Sequence, residues 1–373
     1  MRTALISDLH LGSGSGVDLL QRADIRELLA AELDGVDRLV LLGDVIELRD
    51  RPLPEALERA AEPLAAIGAA VGDAEIVLVA GNHDHHLVEP WLQRRALDGE
   101  GPLGLEQIGD PGEGPLGELA GLLGSSRVRF AYPGTWVRDD VYATHGHYLD
   151  RHLTIPTLER LGVALVERLL GISPGGPDPL APPDEPAALA DEYERVQAPV
   201  YGFLFGLAQA TVGERPGGAD PSLRVWKMLS GSESRVARMR SWLLGSVALP
   251  GAVGIANRLG LGPVAPDLSP KAIAKAGITA MGEVVKRLEI QADHVIFGHT
   301  HRRGPLGEEA GWTAGPTRLW NTGNWVHTPS LLGASARVSP YWPGTMAIVE
   351  DEGPPQLRHV LDGLSRHELA GKG

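Results

Sequence analysis

Five short apolar runs, each stopping at a cluster of Asp, Asn or His, constrain this chain more than any other feature of its sequence. They are TALISDLH at 3–10, RLVLLGD at 38–44, EIVLVAGNHD at 75–84, VYATHGH at 141–147 and HVIFGHTH at 294–301. Short aliphatic and β-branched runs bounded in this way read as buried strands. Helical spacing of apolar positions over residues 24–33 and 53–71 falls between the first three runs, which gives βαβα order. The spacing predicts an α/β fold with a parallel or mixed sheet covered by helices. Ligands of such sheets gather beyond the carboxyl ends of the strands, where these polar clusters fall.

The clusters are Asp8-x-His10, Gly43-Asp44, Gly81-Asn82-His83-Asp84, His145-Gly146-His147 and Gly298-His299-Thr300-His301. With His85 and His86 they hold eight of the 13 histidines, a concentration that scattered surface residues do not produce. The chain has no cysteine, so a metal has to be held by nitrogen and oxygen. Carboxylates, an amide and imidazoles suit a pair of divalent ions: a carboxylate bridges both, and neutral ligands complete each shell without quenching the Lewis acidity. Alternate residues of an extended segment point the same way, while the loop beyond splays donors toward different ions.

In this order the clusters resemble the calcineurin-like metallophosphoesterase family, whose pattern is D-x-H, G-D, G-N-H-D/E, a later histidine and G-H-x-H. The resemblance covers residues 3–147 and 291–349. It implies a β-sandwich core with flanking helices at 1–150 and 291–350, a helical cap insertion at 151–290 and a C-terminal tail at 351–373. It further implies two divalent ions, expected to be Mn, with Fe, Co, Ni or Zn accommodated by the same donors. One ion would take Asp8, His10, Asp44 and His301; the other, Asp44, Asn82, His145 and His299. The class hydrolyses phosphate esters or pyrophosphates directly, the ion pair activating water. His83 would meet the substrate phosphate and protonate the leaving group. Asp84 would orient His83, or else serve as a carboxylate at a helix start. His147 is a candidate for substrate contact or for support of the ligands, and His85 and His86 for a helix start or for substrate contact.

A narrower resemblance rests on Gly43-Asp44-Val45-Ile46-Glu47 and Asn321-Thr322-Gly323-Asn324-Trp325, which are similar to segments of the bacterial branch that includes UDP-2,3-diacylglucosamine hydrolases. It implies a small or lipid-linked substrate. The alternatives are a nucleotide or cyclic-nucleotide phosphodiesterase, and a non-catalytic scaffold at a membrane surface or a protein interface.

Between the two motif-bearing halves the sequence changes character. Residues 156–170 read as an amphipathic helix with Leu158, Leu161, Leu165 and Leu169 on one stripe, 171–194 as a Pro-rich acidic loop, and 193–211, 221–249 and 270–288 as helices. Arg235 and Arg238 lie on the second of these, either as a solvated face or as contacts for a substrate phosphate or anionic lipid. The balance of 34 Lys+Arg against 48 Asp+Glu gives a net charge of −14, which disfavours nucleic acid as a partner. No signal segment or run of ~20 apolar residues is visible, so a cytoplasmic protein, with membrane association as the alternative, is expected. Oligomeric state is open. Glycine-rich residues 12–16 lack the Lys-Ser/Thr of a phosphate-cradling loop. The Gly, Ala, Leu, Arg and Pro usage fits a GC-rich bacterial coding background.

Overall fold

The computed structural model describes residues 1–14, 17–125, 127–173, 188–210, 257–258, 262, 267, 270–307, 309–329, 331–332 and 339–371. The helix expected at 221–249, with Arg235 and Arg238, lies outside them, as do residues 174–187.

The strands are β1 (Thr3–Ile6), β2 (Arg38–Leu42), β3 (Glu75–Val79), β4 (Glu106–Gly109), β5 (Val128–Arg138), β6 (Val141–Thr144), β7 (His294–Phe297), β8 (Thr313–Ala314), β9 (Thr317–Asn321), β10 (Thr345–Val349) and β11 (Gln356–His359). The five motif-bearing runs supply β1, β2, β3, β6 and β7. They connect as β11-β10-β1-β2-β3-β5-β6-β7-β9-β8, with β4 alongside β5. From β1 to the first half of β5 the strands are parallel, while β10 and β11 add antiparallel pairs at the edge. Strand β5 joins two leaves: Val128–Ala131 pair with β3, and Gly134–Arg138 pair antiparallel with β6. From β6 the second leaf continues in parallel to β7 and β9.

Side-chain alternation along the strands separates two cores. Leu5, Val40, Leu42, Val77 and Val79 of the first leaf meet Val137, Val141, Ala143 and Ile296 of the second in one apolar cluster between the leaves. Their neighbours Ala4, Ile6, Leu39, Leu41, Ile76 and Leu78 instead join residues of α1 (Ala23–Leu33) and α2 (Leu53–Val71). Burial on both faces is why the runs are continuously apolar rather than alternating. This is a mixed, curled β-sandwich flanked by helices.

The remaining α-helices among the described residues are α3 (Glu89–Asp98), α4 (Pro115–Leu122), α5 (Leu158–Leu169), α6 (Ala188–Gln209), α7 (Pro270–Arg287) and α8 (Arg366–Leu369). Helix α7 packs on the second leaf: Met281, Val284 and Val285 share a cluster with Val295 and Phe297 of β7. Two expectations need correction. The stretch read as a tail contributes β11 to the sheet edge, and the acidic stretch read as a loop is helical from Ala188.

The leucine stripe of α5 also differs from expectation. Leu158, Leu165 and Leu169 are exposed, and the buried face carries Glu159, Arg160, Val163, Ala164 and Glu167. Buried charges set that orientation. Arg151 Nε donates to Glu167 Oε1 (2.9 Å), Arg151 Nη1 lies 3.4 Å from Glu192 Oε2 on α6, and Arg160 Nη1 lies 3.7 Å from Glu167 Oε2. Turning the leucines inward would expose this network and strand Val163 from Val196 and Val200 of α6. Removing one partner of a buried ion pair leaves an uncompensated charge, so Glu167→Ala is expected to destabilise the protein by about 3–5 kcal/mol in urea unfolding. A change below about 1 kcal/mol would show that the network does not anchor α5.

Candidate metal centre

Each polar cluster begins where a strand ends, and the backbone there is unusual. Among the described residues six that are not glycine have positive φ, and five of them are Asp8 (55°), His10 (46°), Asp44 (50°), His299 (63°) and His301 (55°). Left-handed backbone at such residues costs of order ~1–3 kcal/mol each and persists only where the surroundings hold it. Bonds between the loops do so here. Asp8 N donates to Gly43 O (3.1 Å), His10 N to Asp44 O (2.9 Å) and His299 N to Asp8 Oδ2 (3.0 Å). Close approach also explains two glycines: a Cβ on Gly81 would lie 2.3 Å from Asp44 Oδ1, and one on Gly298 2.4 Å from Asp8 Oδ2.

These loops bring acceptors together in two groups. Asp8, His10 and His301 each offer an atom within 4.8 Å of the others, and so do Asp44, His145 and His299. Asp44 Oδ2 lies between the groups, 3.3 Å from His145 Nε2 and 3.7 Å from His10 Nε2. In the first group His10 Nε2 and His301 Nε2 face each other at 3.1 Å, and the buried Asp8 Oδ1 lies 3.2 Å from His301 Nε2. In the second, Asn82 Oδ1 lies 2.9 Å from His299 Nδ1 and 3.2 Å from His145 Nε2. Lone pairs opposed at such distances repel unless a proton or a cation stands between them. Nitrogen and oxygen donors in this number fit a pair of divalent ions. Turned over, the Asn82 amide would instead offer its oxygen to Arg49 Nη2 (3.0 Å) and Nη1 (3.1 Å).

The second ring nitrogens fix the imidazoles. His10 Nδ1 donates to Glu47 Oε2, His145 Nδ1 to Leu42 O and His299 Nε2 to Asp150 Oδ1, all at 2.9 Å. Each bond leaves the opposite nitrogen facing the centre, as ligation requires. His83 belongs to a third grouping with His10 and Asp44. Its backbone N donates to Asp44 Oδ1 (2.8 Å) and its Nδ1 to Glu47 Oε2 (2.8 Å), so one carboxylate serves both His10 and His83.

Electrostatics follow from this crowding. Burial opposes a charge on His10, but the Glu47 hydrogen bond and the Asp44 carboxylate outweigh it and carry the pKa up to about 10. His145 rises to about 9 against burial, chiefly through Asp44. Burial works against ionisation of Asp44, yet His145 and His83 hold its pKa well below the usual carboxylate range.

The other candidate residues lie around this centre. Asp84 does not partner His83. Its carboxylate accepts from the backbone N of Gly81 (2.6 Å) and Val45 (2.7 Å), pinning the loop that carries Asp44. Burial first, then the Asp44 charge, raises its pKa to about 6. His85 is buried and bonded to Glu194 Oε2 (2.9 Å), and His86 stacks on Phe205 at 3.7 Å between centroids. His147 is buried beside His145, 5.7 Å between ring centroids, and burial followed by the neighbouring histidines pushes its pKa well down. Sequence reading assigned no role to Glu47, Asp150, Arg49 or Tyr201. Glu47 was within reach, three residues after Asp44 in a quoted motif; the others carry no local signal.

Residues 1–181 match the profile of the calcineurin-like phosphoesterase family. Among solved structures, a dimetal phosphatase from Danio rerio is similar at 14% identity and a TM-score of 0.34, over 94% of this chain and 93% of that one. No curated protein matches. The geometry of the candidate ligands and the family match over residues 1–181 support a metal-dependent phosphoesterase mechanism with two candidate divalent sites.

Because His10 and His145 hold protons in the ion-free centre near neutral pH, loading divalent ions has to displace them. Metal affinity should therefore rise with pH and level off above about 9–10. Calorimetric titration with Mn²⁺ in buffers of different ionisation enthalpy should detect the released protons. An affinity that is flat across the range below about 9 would refute this linkage.

Proposed function

We propose that this chain hydrolyses a phosphate ester or pyrophosphate bond of a small or lipid-linked substrate, with Asp8, His10, Asp44 and His301 holding one divalent ion and Asp44, Asn82, His145 and His299 the other. The position of the Asp44 carboxylate between the two acceptor groups is the observation that carries this assignment. When bound, such an ion pair supplies Lewis acidity at phosphorus and a water nucleophile at neutral pH. Mn is our choice of metal, on the family resemblance.

The chain's own residues do the rest. His83 is the general acid: the Glu47 carboxylate raises its proton affinity against burial, and its ring lines a recess with Arg49, Asn82, His86, Tyr201 and Phe205. A protonated imidazole fixed at one nitrogen is suited to donate to a departing oxygen from the other. Arg49, held by Glu159 Oε1 (2.9 Å), brings a permanent cation to the same recess. We assign residues 151–290 as a cap on the core, a reading supported by the α6 residues that border the recess. Trp325 N donates to Asp8 O (3.0 Å) and Asn321 Nδ2 to Gly298 O (2.7 Å), so the Asn321–Trp325 segment braces two ligand loops. Its resemblance to the UDP-2,3-diacylglucosamine hydrolase branch makes lipid-linked pyrophosphates the first substrates to try. No described helix is long and apolar enough to cross a membrane.

The test is Mn²⁺-dependent hydrolysis of bis-p-nitrophenyl phosphate. Asp44→Asn should lose both ion occupancy and turnover; normal values of both would reject the bridging role. His83→Ala should keep two ions while kcat falls roughly 10²- to 10⁴-fold. Loss of the ions in that variant would instead make His83 a ligand.

A further inference from the structure

Helix α6 turns one face to the metal centre. Glu194 accepts from His85 Nε2 and from the hydroxyls of Tyr132 and Tyr148, and Gln197 Nε2 donates to His147 O (3.0 Å). Residues 194, 197 and 201 follow helical spacing, so Tyr201 shares that face one turn on. Its ring has the Arg49 guanidinium 5.2 Å from its centroid and the rings of His85 and His147 at 5.3 and 5.7 Å. Tyr201 lines the recess with Asn82 and His83. It is 3% exposed, and its hydroxyl has no hydrogen-bond partner among the described residues.

A buried hydroxyl with no partner destabilises a fold, and phenylalanine would fill the same space without that penalty. A ligand that accepts from this hydroxyl would account for the polar residue. Burial, then the charge of Asp150, keeps the phenol protonated by raising its pKa well above the ordinary value, so it acts as a donor. The neighbouring cation and the acceptor groups for divalent ions make an oxyanion the matching ligand.

We propose that the Tyr201 hydroxyl donates a hydrogen bond to a non-bridging oxygen of the bound phosphoryl group, which makes helix α6 part of the active site. The proposal rests on the phosphoesterase reading above, and binding can test it apart from turnover. Tyr201→Phe and the wild-type protein, both loaded with Mn²⁺, would be titrated with inorganic phosphate and assayed on bis-p-nitrophenyl phosphate. The variant is expected to bind phosphate about tenfold or more weakly and to lose roughly 10- to 100-fold in kcat/KM. Its two-ion occupancy should be unchanged, and the melting temperature of its ion-free form equal to or above that of wild type. Phosphate affinity and kcat/KM within about twofold of wild type would overturn the proposal. So would activity lost in step with a lower melting temperature or lost ions, which would mark a structural role. If wild type binds phosphate but hydrolyses no ester, the hydrolytic reading fails while the ratio of phosphate affinities still decides for or against Tyr201. Wild type unable to bind phosphate overturns both.

Discussion

Crowding of acceptors is the constraint on which the rest of this structure depends. Asp8, His10, Asp44, Asn82, His145, His299 and His301 direct lone pairs into one small volume at the ends of β1, β2, β3, β6 and β7. In an ion-free protein protons relieve part of the repulsion, as the raised His10 and His145 pKa values record. Holding the groups so close requires left-handed backbone at five of these positions, and glycine where a Cβ would strike a carboxylate. The two-leaf core supplies the restraint: the loops that carry the candidate ligands are short extensions of strands buried on both faces.

A second tier of groups decides which atoms face the centre. Leu42 O, Glu47 and Asp150 each take the N–H of one imidazole and so turn its other nitrogen inward. Glu47 also holds His83, so a metal-ligand candidate and the proposed acid share one carboxylate. Asp84 acts on backbone rather than on a side chain, accepting from the N–H groups that shape the Asp44 loop. The recess beside the centre is bordered by α6, docked through Glu194 and Gln197 and oriented with α5 by the buried Arg151, Glu167 and Glu192 charges.

Much of this was legible in the sequence. Apolar runs ending in Asp, Asn and His carried the strands, their βαβα order and the candidate ligands, because buried strands and metal ligands both leave local, type-specific patterns. Strands β4, β5 and β8 to β11 were not legible. They are short or edge elements whose pairing depends on distant partners, and β5 serves two leaves at once. The leucine stripe of α5 shows how tertiary context overrides periodicity: leucines at helical spacing face outward where buried arginines and glutamates claim the inner face.

The sequence by itself determined the donor chemistry: nitrogen and oxygen candidate ligands in a fixed order, without a thiol, at the ends of buried strands. Only the tertiary structure decided the partnerships, among them Glu47 rather than Asp84 on His83, Asp150 on His299 and Arg49 beside Tyr201. Residue type and spacing fix what a side chain is able to do within its own strand or loop. Which group it meets from a segment a hundred or more residues away is fixed by packing, which leaves no local mark in the chain.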